Sequence, residues 1–137
     1  MDTVKLTMMD SNVIIFSNVE NYPEHKAAVT KIEELAKNNK LVVNLIIVSE
    51  VFHKLFRILS LEEAYKRTSA LLESETVCYT TIPENAVKKS LKLARESGIR
   101  INDAVIAQHA MDMKCCLLTD NIKDFSRIKG LNIMGLR

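Results

Sequence analysis

Acidic and polar residues follow two apolar segments of the chain, and this arrangement could support chemistry. Asp10 follows the apolar segment 4–9 and precedes a polar turn and another apolar run. The apolar segment 115–118 ends in a similar way on the polar residues 119–121. Open α/β sheets bind their ligands outside the carboxyl ends of the strands. We therefore expect Asp10 and the polar residues 119–121 to share one edge of a sheet.

Three further acids occupy positions from which they could reach that edge. Glu50 lies on an apolar helix that the residue spacing predicts from Asn44 to about residue 59. Asp103 follows Asn102, a predicted N-cap, so it lies in a first helical turn, where the helix dipole favours an anion. Asp124 begins a single predicted turn. Taken singly, each acid is better explained as a helix cap or a solvated turn residue, so the hypothesis of a site depends on their convergence.

Carboxylates that converge on one place favour a bound cation, because without one they repel each other and their pKa values rise. The candidate donor atoms are all oxygens, which suit Mg²⁺ or Mn²⁺. The three cysteines, Cys78, Cys115 and Cys116, lack the Cys-x-x-Cys or Cys/His spacing of a zinc site. A magnesium or manganese site can activate a water and hold a phosphodiester for in-line attack, so the chemistry needs no covalent nucleophile.

Strand and helix patterns alternate along the chain and predict the elements that position these acids. The predicted strands are 3–9, 41–43, 77–79, 115–119 and 131–134. The predicted helices are 13–18, 23–39, 44–59, 61–72, 83–97 and one that begins at Asn102. This alternation predicts an α/β fold, a three-layer α/β/α sandwich with a central, mostly parallel sheet of four to five strands. A chain of 137 residues fits one domain, 1–137.

Two of the predicted helices are expected to turn particular apolar side chains toward the core. For helix 61–72 these are Leu61, Ala64, Tyr65, Leu71 and Leu72. For helix 83–97 they are Ala86, Val87, Leu91 and Ala94.

The composition is that of an ordinary globular protein, with 47% hydrophobic and 26% charged residues. No apolar run approaches the roughly 18 residues that a membrane span needs. Residues 1–10 also lack the basic start and long apolar core of a signal peptide. We therefore expect a cytoplasmic protein that makes no contact with a membrane.

The formal net charge of +2 conceals an asymmetry along the chain. Residues 1–87 carry 9 Lys and Arg against 12 Asp and Glu, whereas residues 88–137 carry 10 against 5. A basic C-terminal third favours a phosphate-bearing partner. Taken alone, a solvated helix face is the better explanation, since Lys88, Lys89, Lys92 and Arg95 stand at helical spacing.

Four motifs, spread over nearly the whole chain, carry a family resemblance. They are Met9–Ile15 (MDSNVII), Ser49-Glu50 within an apolar helix, Asn102–Ala107 (NDAVIA), and Leu117–Asn121 (LLTDN) leading to Asp124-Phe125 and Gly130-Leu131. In this combination the sequence resembles the PIN-domain nucleases, particularly the small VapC-type toxins of prokaryotic toxin–antitoxin pairs. The resemblance implies a PIN-like fold and a metal-dependent endoribonuclease.

The resemblance also implies a set of site residues. Asp10, Glu50 and Asp103 correspond to the acids that hold Mg²⁺ or Mn²⁺ in the family. The fourth acid is Asp124 in the VapC-like pattern, with Asp120 as the second choice. The supporting polar residues are Ser11, Asn12, Thr119 and Asn121. The candidate contacts for RNA phosphates are Arg100, Lys123, Arg127 and Lys129, each of which is equally well explained as solvated surface charge.

The partners implied by the resemblance are an RNA substrate, an antitoxin protein and a second copy of the chain in a homodimer. Residues 62–72 form a predicted helix with apolar residues at intervals and are a candidate interface. Burial of these residues in the core is an equally good explanation.

Three alternatives were weighed against a toxin ribonuclease. A haloacid-dehalogenase-like phosphatase also begins with a strand that ends on Asp, but it requires a second Asp where this chain has Asn12. A catalytically inactive PIN-like module that binds RNA or protein stays open, as does an RNA-processing PIN nuclease without an antitoxin.

His53 shares a helix face with Glu50, flanked by Lys54 and Arg57, and could donate a proton, although a VapC-like site requires no histidine there.

Overall fold

The computed structural model describes residues 5–137, apart from the side chain of Asn39, and this part of the chain contains five strands and seven helices. The strands are β1 (Lys5–Met9), β2 (Asn39–Val43), β3 (Val77–Tyr79), β4 (Cys116–Leu118) and β5 (Ile133–Met134). The helices are α1 (Ser11–Asn18), α2 (His25–Asn38), α3 (Leu45–Ile58), α4 (Leu61–Glu73), α5 (Glu84–Ser97), α6 (Ile101–Asp112) and α7 (Ile122–Phe125). Residues 3 and 4 of the predicted first strand lie outside the described residues.

The five strands form one sheet in the order β3-β2-β1-β4-β5, and every neighbouring pair is parallel. The chain steps from β1 outward to β2 and β3, then crosses back to β4 and β5 on the other side of β1. Right-handed connections in these two directions place helices on opposite faces of the sheet. The predicted α/β/α sandwich is confirmed, and β1 and β4 mark the point where the strand order reverses.

The central strands are buried on both faces, as strands of a parallel sheet should be. Met8 and Met9 in β1, the run 41–43 in β2, and Leu117 and Leu118 in β4 are each at most 1% exposed. The carboxyl ends of β1 and β4 therefore project from a rigid centre.

Among residues 5–137 no helix has the length and apolar character required to cross a membrane.

The apolar face of α4 differs from its prediction. Ala64 is buried and Leu71 packs against the core. Leu61, Tyr65 and Leu72, which were also expected to face inward, are 57%, 64% and 45% exposed. These three lie on a neighbouring stripe of the same helix, so the helix is rotated away from the predicted orientation and presents an apolar stripe to solvent.

The apolar face of α5 is also narrower than predicted. Ala86 is buried and Ala94 packs against the core, whereas Val87 and Leu91 are 39% and 58% exposed. Gly98 ends this helix in the left-handed conformation (φ 74°), which glycine adopts readily. The two exposed side chains are the positions that a second protein chain could cover.

Three helix starts were predicted incorrectly. Helix α1 begins at Ser11, two residues before its predicted start, with Asp10 at the N-cap position. Helix α2 begins at His25, two residues after Pro23. Helix α6 begins at Ile101 with Arg100 at the N-cap position, where no side chain caps the helix. The Asn102 side chain instead donates a hydrogen bond to Glu50, so its amide serves the candidate site rather than the helix end.

Candidate active site

Asp10 stands at the carboxyl end of β1, where the strand order reverses. Its Oδ1 accepts a hydrogen bond from the Ser11 backbone N–H at 2.8 Å, so the side chain caps α1. Its Oδ2 accepts from the Thr119 hydroxyl at 2.7 Å, and its backbone N–H donates to the Leu118 carbonyl at the end of β4. Asp10 is 4% exposed. The crevice between β1 and β4 is the place where open α/β sheets bind ligands.

Burial raises the pKa of Asp10 to about 6, because desolvation disfavours the charged carboxylate. The hydrogen bonds from Thr119 and Ser11 oppose this rise, while the negative charges of Asp103 and Glu50 add to it. The three acids therefore lie near enough to interact electrostatically. A buried carboxylate with acidic neighbours is a place where a cation would be favourable.

Glu50 lies on α3 and is held by residues from two other parts of the chain, the start of α1 and the start of α6. Its Oε1 accepts a hydrogen bond from the Ser11 hydroxyl at 3.0 Å. Its Oε2 accepts from Asn102 Nδ2 at 3.3 Å and from the Arg100 guanidinium at 3.4 Å. The side chain is 21% exposed, so the carboxylate is aimed toward the edge of the sheet while part of it stays accessible to solvent.

Asn44 sets the start of α3, and this role was missed in the analysis of the sequence. Its Oδ1 accepts from the Ile47 N–H at 3.1 Å and caps the helix, and its Nδ2 donates to His109 Nδ1 at 3.0 Å. Asn44 and His109 are both at most 1% exposed. A polar residue between a strand and a helix is a general N-cap signal that could have identified Asn44. The position of Glu50 thus depends on a buried cap anchored to α6.

The ring of His109 is neutral in this network. An amide nitrogen only donates, so Nδ1 of His109 must be the unprotonated acceptor. Burial lowers the pKa of His109, an effect that the nearby Asp112 and a hydrogen bond to the Thr81 backbone oppose. This histidine is structural, because it is buried and its ring nitrogen is hydrogen-bonded to the N-cap residue of α3.

Asp103 lies in the first turn of α6 and is partly buried. Burial raises its pKa, the positive charge of Arg100 opposes the rise, and the charges of Glu50 and Asp124 add to it. Asp103 is therefore the acid that connects the Glu50 side of the site to the Asp124 side.

Of the two candidates for the fourth acid, Asp124 faces the other acids. Its charge acts on Asp103, and its Oδ2 accepts from Asn121 Nδ2 at 3.2 Å. Its Oδ1 lies 3.8 Å from the Arg127 guanidinium. Asp120 is exposed, and its backbone N–H donates to Asn12 Oδ1 in the first turn of α1.

The supporting polar residues predicted from the sequence link the ends of β1 and β4. Thr119 is fully buried, and its hydroxyl oxygen also accepts from the Asn121 N–H at 3.0 Å. Asn12 accepts from the Asp120 N–H at 3.4 Å. Ser11 and Asn121 each donate to an acid, as described above. All four therefore position acidic groups or the turn that carries them.

The donor set fits a hard divalent cation, since it consists of carboxylate oxygens with hydroxyl and amide groups around them. Within residues 5–137, however, no group of three or more His, Cys, Asp or Glu side chains already stands in an arrangement that could hold a metal ion. The Glu50 oxygens are turned to Ser11, Arg100 and Asn102. Binding of an ion would have to draw these carboxylates together.

Basic side chains surround the acids on two sides. The four cations predicted from the sequence to contact phosphates are exposed and lie near the site motifs; they are Arg100, Lys123, Arg127 and Lys129. Arg100, with 73% of its side chain exposed, pairs with Glu50, and Arg127 pairs with Asp124. On the Glu50 side a cavity of about 360 Å³ opens beside the acids.

Comparisons with known proteins identify one family. The model of the PIN domain family matches residues 7–131. Ribonuclease VapC1 of Haemophilus influenzae is 29% identical over 130 residues, which cover 90% of this chain and 92% of that protein. Ribonuclease VapC2 of Rickettsia felis is 26% identical over 127 residues, which cover 90% of this chain and 92% of that protein.

Solved structures share the fold. VapBC-1 from nontypeable Haemophilus influenzae superposes with a TM-score of 0.73 at 28% identity and covers 96% of this chain and 98% of that one. VapBC2 from Rickettsia felis, bound to a DNA fragment from its promoter, gives a TM-score of 0.76 at 21% identity. The match covers 95% of this chain and 98% of that one.

Proposed function

Because the chain belongs to the PIN domain family, we propose that it is a VapC-type toxin ribonuclease that hydrolyses RNA phosphodiester bonds with Mg²⁺ or Mn²⁺. The observation that carries this proposal is the buried Asp10 at the point where the strand order reverses, whose carboxylate interacts electrostatically with Asp103 and Glu50, while Asp103 interacts in turn with Asp124. The similarity to the two VapC ribonucleases supports it.

In this proposal Asp10 is the central ligand and Asp103 holds the same ion. Glu50 binds the ion or orients the attacking water, and Asp124 holds a second ion or a water network. The bound ion supplies Lewis-acid chemistry that activates a water and stabilises the leaving oxygen. Thr119 and Ser11 keep the Asp10 carboxylate in one orientation through the hydrogen bonds described above.

The experiment that tests the proposal is cleavage of single-stranded and structured RNA by the purified protein with Mg²⁺, with Mn²⁺ and with EDTA. We expect cleavage only with metal, and we expect Asp10→Asn to lower the rate by roughly a hundredfold or more, since it removes a charged ligand worth several kcal/mol. Circular dichroism and urea unfolding verify that the variant is folded. An Asp10→Asn variant that cuts as fast as the parent would refute the mechanism.

The same assay separates the alternatives. A catalytically inactive PIN-like module would bind RNA or a protein but show no metal-dependent cleavage. A processing nuclease without an antitoxin would cleave RNA but copurify with no inhibitory partner when expressed from its native locus. The complete set of acids favours an active enzyme over the inactive module.

We propose an antitoxin and a second copy of the chain as protein partners. Toxin–antitoxin complexes among the structural neighbours support the first. The exposed stripe of Leu61, Tyr65 and Leu72 on α4, with the nearby Phe56 and Leu59, is the apolar surface we assign to the antitoxin. It includes the helix predicted from the sequence as an interface.

The homodimer is assigned to a different surface. Val87 and Leu91 on α5 and Ile101 at the start of α6 are 39%, 58% and 46% exposed.

Since the proposed substrate is RNA, we place the activity in the cytoplasm. We treat residues 1–137 as one PIN-like domain, because a single sheet and a single core account for the elements from β1 to β5.

A further inference from the structure

A cavity of about 360 Å³ lies beside Glu50, between α1 and α3. Its volume falls within the range of small-ligand sites, roughly 300–1,000 Å³. The lining residues that matter here are Asn12, Ile15, Glu50, Lys54, Arg57 and Arg100. One end of the cavity is therefore formed by an acid of the proposed catalytic centre, and the rest leads away from it.

The basic side chains follow one face of α3. Glu50, Lys54 and Arg57 are spaced four and three residues apart, so they share a stripe on the helix. With a rise of 1.5 Å per residue, Arg57 stands about 10 Å beyond Glu50 along the axis. The stripe thus changes from acidic to basic as it leaves the catalytic centre.

The cations of this stripe are not neutralised within the described part of the chain. Lys54 and Arg57 are exposed, and neither forms an ion pair with any residue from 5 to 137. Arg100, which lines the same cavity, pairs only with Glu50 among these residues. Clustered positive charge along a cleft attracts anions and raises their local concentration.

We propose that this cavity is a substrate subsite that binds the phosphodiester group of the nucleotide next to the scissile bond in a single strand of RNA, with Lys54 and Arg57 as its phosphate contacts. The inference rests on the proposed function, because the acidic centre defines where the scissile bond lies. A single strand fits the cavity, because the basic side chains that line it lie along one helix. The contacts are to the backbone, so they add affinity without sequence preference.

The test measures the salt dependence of RNA binding. Every protein carries Asp10→Asn to prevent cleavage, and the probe is a fluorescein-labelled single-stranded RNA. For single strands, log K falls with log salt by about 0.7 per phosphate contact. We expect Lys54→Ala/Arg57→Ala to weaken binding at low salt by at least tenfold and to reduce this slope by about 0.7, the value for the one phosphate that the two side chains contact. The charge-conserving variant Lys54→Arg/Arg57→Lys should keep the parental slope.

The matched control is Lys37→Ala/Lys40→Ala. Both lysines are exposed; Lys37 lies near the end of α2 and Lys40 in the first half of β2. They are near the amino ends of the strands, whereas the site lies at the carboxyl ends. The control makes the same change in net charge, so it should leave the slope at the parental value. Equal losses in the two double variants would overturn the subsite, because they would mean that only net charge matters.

Kinetics distinguish failure of the subsite from failure of the nuclease proposal. With Asp10 intact, Lys54→Ala/Arg57→Ala should raise KM about tenfold or more and leave kcat within about threefold of the parent. If the parent cleaves RNA and Lys54→Ala/Arg57→Ala has the same KM as the control variant, the subsite is overturned and the nuclease proposal stands. A parent that never cleaves, combined with the expected change in salt slope, would refute the nuclease and support the subsite as an RNA-binding surface.

Discussion

Thr119 donates its hydroxyl hydrogen to Oδ2 of Asp10 over 2.7 Å, across 109 residues of sequence. Both residues are buried, and they stand at the carboxyl ends of β1 and β4, the neighbouring strands where the sheet reverses its order. This hydrogen bond joins the two halves of the candidate site and favours the charged form of the carboxylate that we assign to the metal.

Replacement of Thr119 by Val removes this donor with little change of volume. We expect Thr119→Val to raise the pKa of Asp10 further and to weaken Mg²⁺ binding by about tenfold, since a hydrogen bond to a charged group is worth roughly 1.5–3 kcal/mol. Thr119→Ser keeps the hydroxyl and should bind Mg²⁺ nearly as well as the parent. Isothermal titration with Mg²⁺ measures the difference, and equal affinities for the Val and Ser variants would show that the hydroxyl has no such role.

The stability of the metal-free protein should fall as the pH rises. Burial places the pKa of Asp10 in the folded state at about 6, above the ordinary 3.8. The folded state therefore binds the proton more tightly, and the stabilisation is complete below about pH 4 and lost as the pH passes 6. The full effect is on the order of 3 kcal/mol.

Asp10→Asn should remove this pH dependence. The measurement is the free energy of unfolding by urea in EDTA at several pH values between 4 and 8, for the parent and for the variant. The other titrating groups are common to both proteins, so the difference between the two curves reports Asp10. We expect the variant to be more stable than the parent at pH 8 and the advantage to vanish near pH 4; curves that stay parallel would exclude a raised pKa. Addition of Mg²⁺ should stabilise only the parent at high pH, because ligands that bind the native state shift unfolding by mass action.

The positions of Asp10 and Thr119 could be predicted from the sequence because an apolar run that stops at a polar residue marks the end of a buried strand. The all-parallel sheet followed from the same alternation of strands and helices. The role of Asn102 could not be predicted in this way. Its cap-like position is a local signal, but its amide is used by Glu50, 52 residues away, and such a partner is invisible in local spacing.

The orientation of α4 shows a second limit of sequence reasoning. Leu61, Tyr65 and Leu72 form as regular an apolar stripe as the buried side of the helix, yet they are exposed. Periodicity identifies an amphipathic helix but does not distinguish a face that packs on the sheet from one that is reserved for a partner. The same ambiguity applies to Val87 and Leu91 on α5.

These exposed apolar side chains allow a test of the proposed homodimer. We expect Leu91→Glu to convert a dimer to a monomer, because a buried and unpaired charge in an interface is strongly unfavourable. Sedimentation equilibrium over a range of concentrations measures the mass. Tyr65→Glu, on the α4 surface that we assign to the antitoxin, is the matched control and should leave the mass unchanged. A parent that is monomeric at all concentrations would refute the dimer, and a dimer disrupted by Tyr65→Glu rather than Leu91→Glu would place the interface on α4.

The fourth acid can be identified by comparing Asp124→Asn with Asp120→Asn. Both variants remove one negative charge from the loop and turn after β4, so any general electrostatic effect on RNA binding should be similar. Of these two acids, only Asp124 acts electrostatically on Asp103, and the Asp124 carboxylate is oriented by Asn121. We therefore expect Asp124→Asn to lower kcat by roughly tenfold to a hundredfold with Mg²⁺ saturating, while Asp120→Asn stays within about threefold of the parent. The reverse order of the two rates would transfer the role to Asp120, and it would mean that the loop after Thr119 rearranges when the metal and the RNA bind.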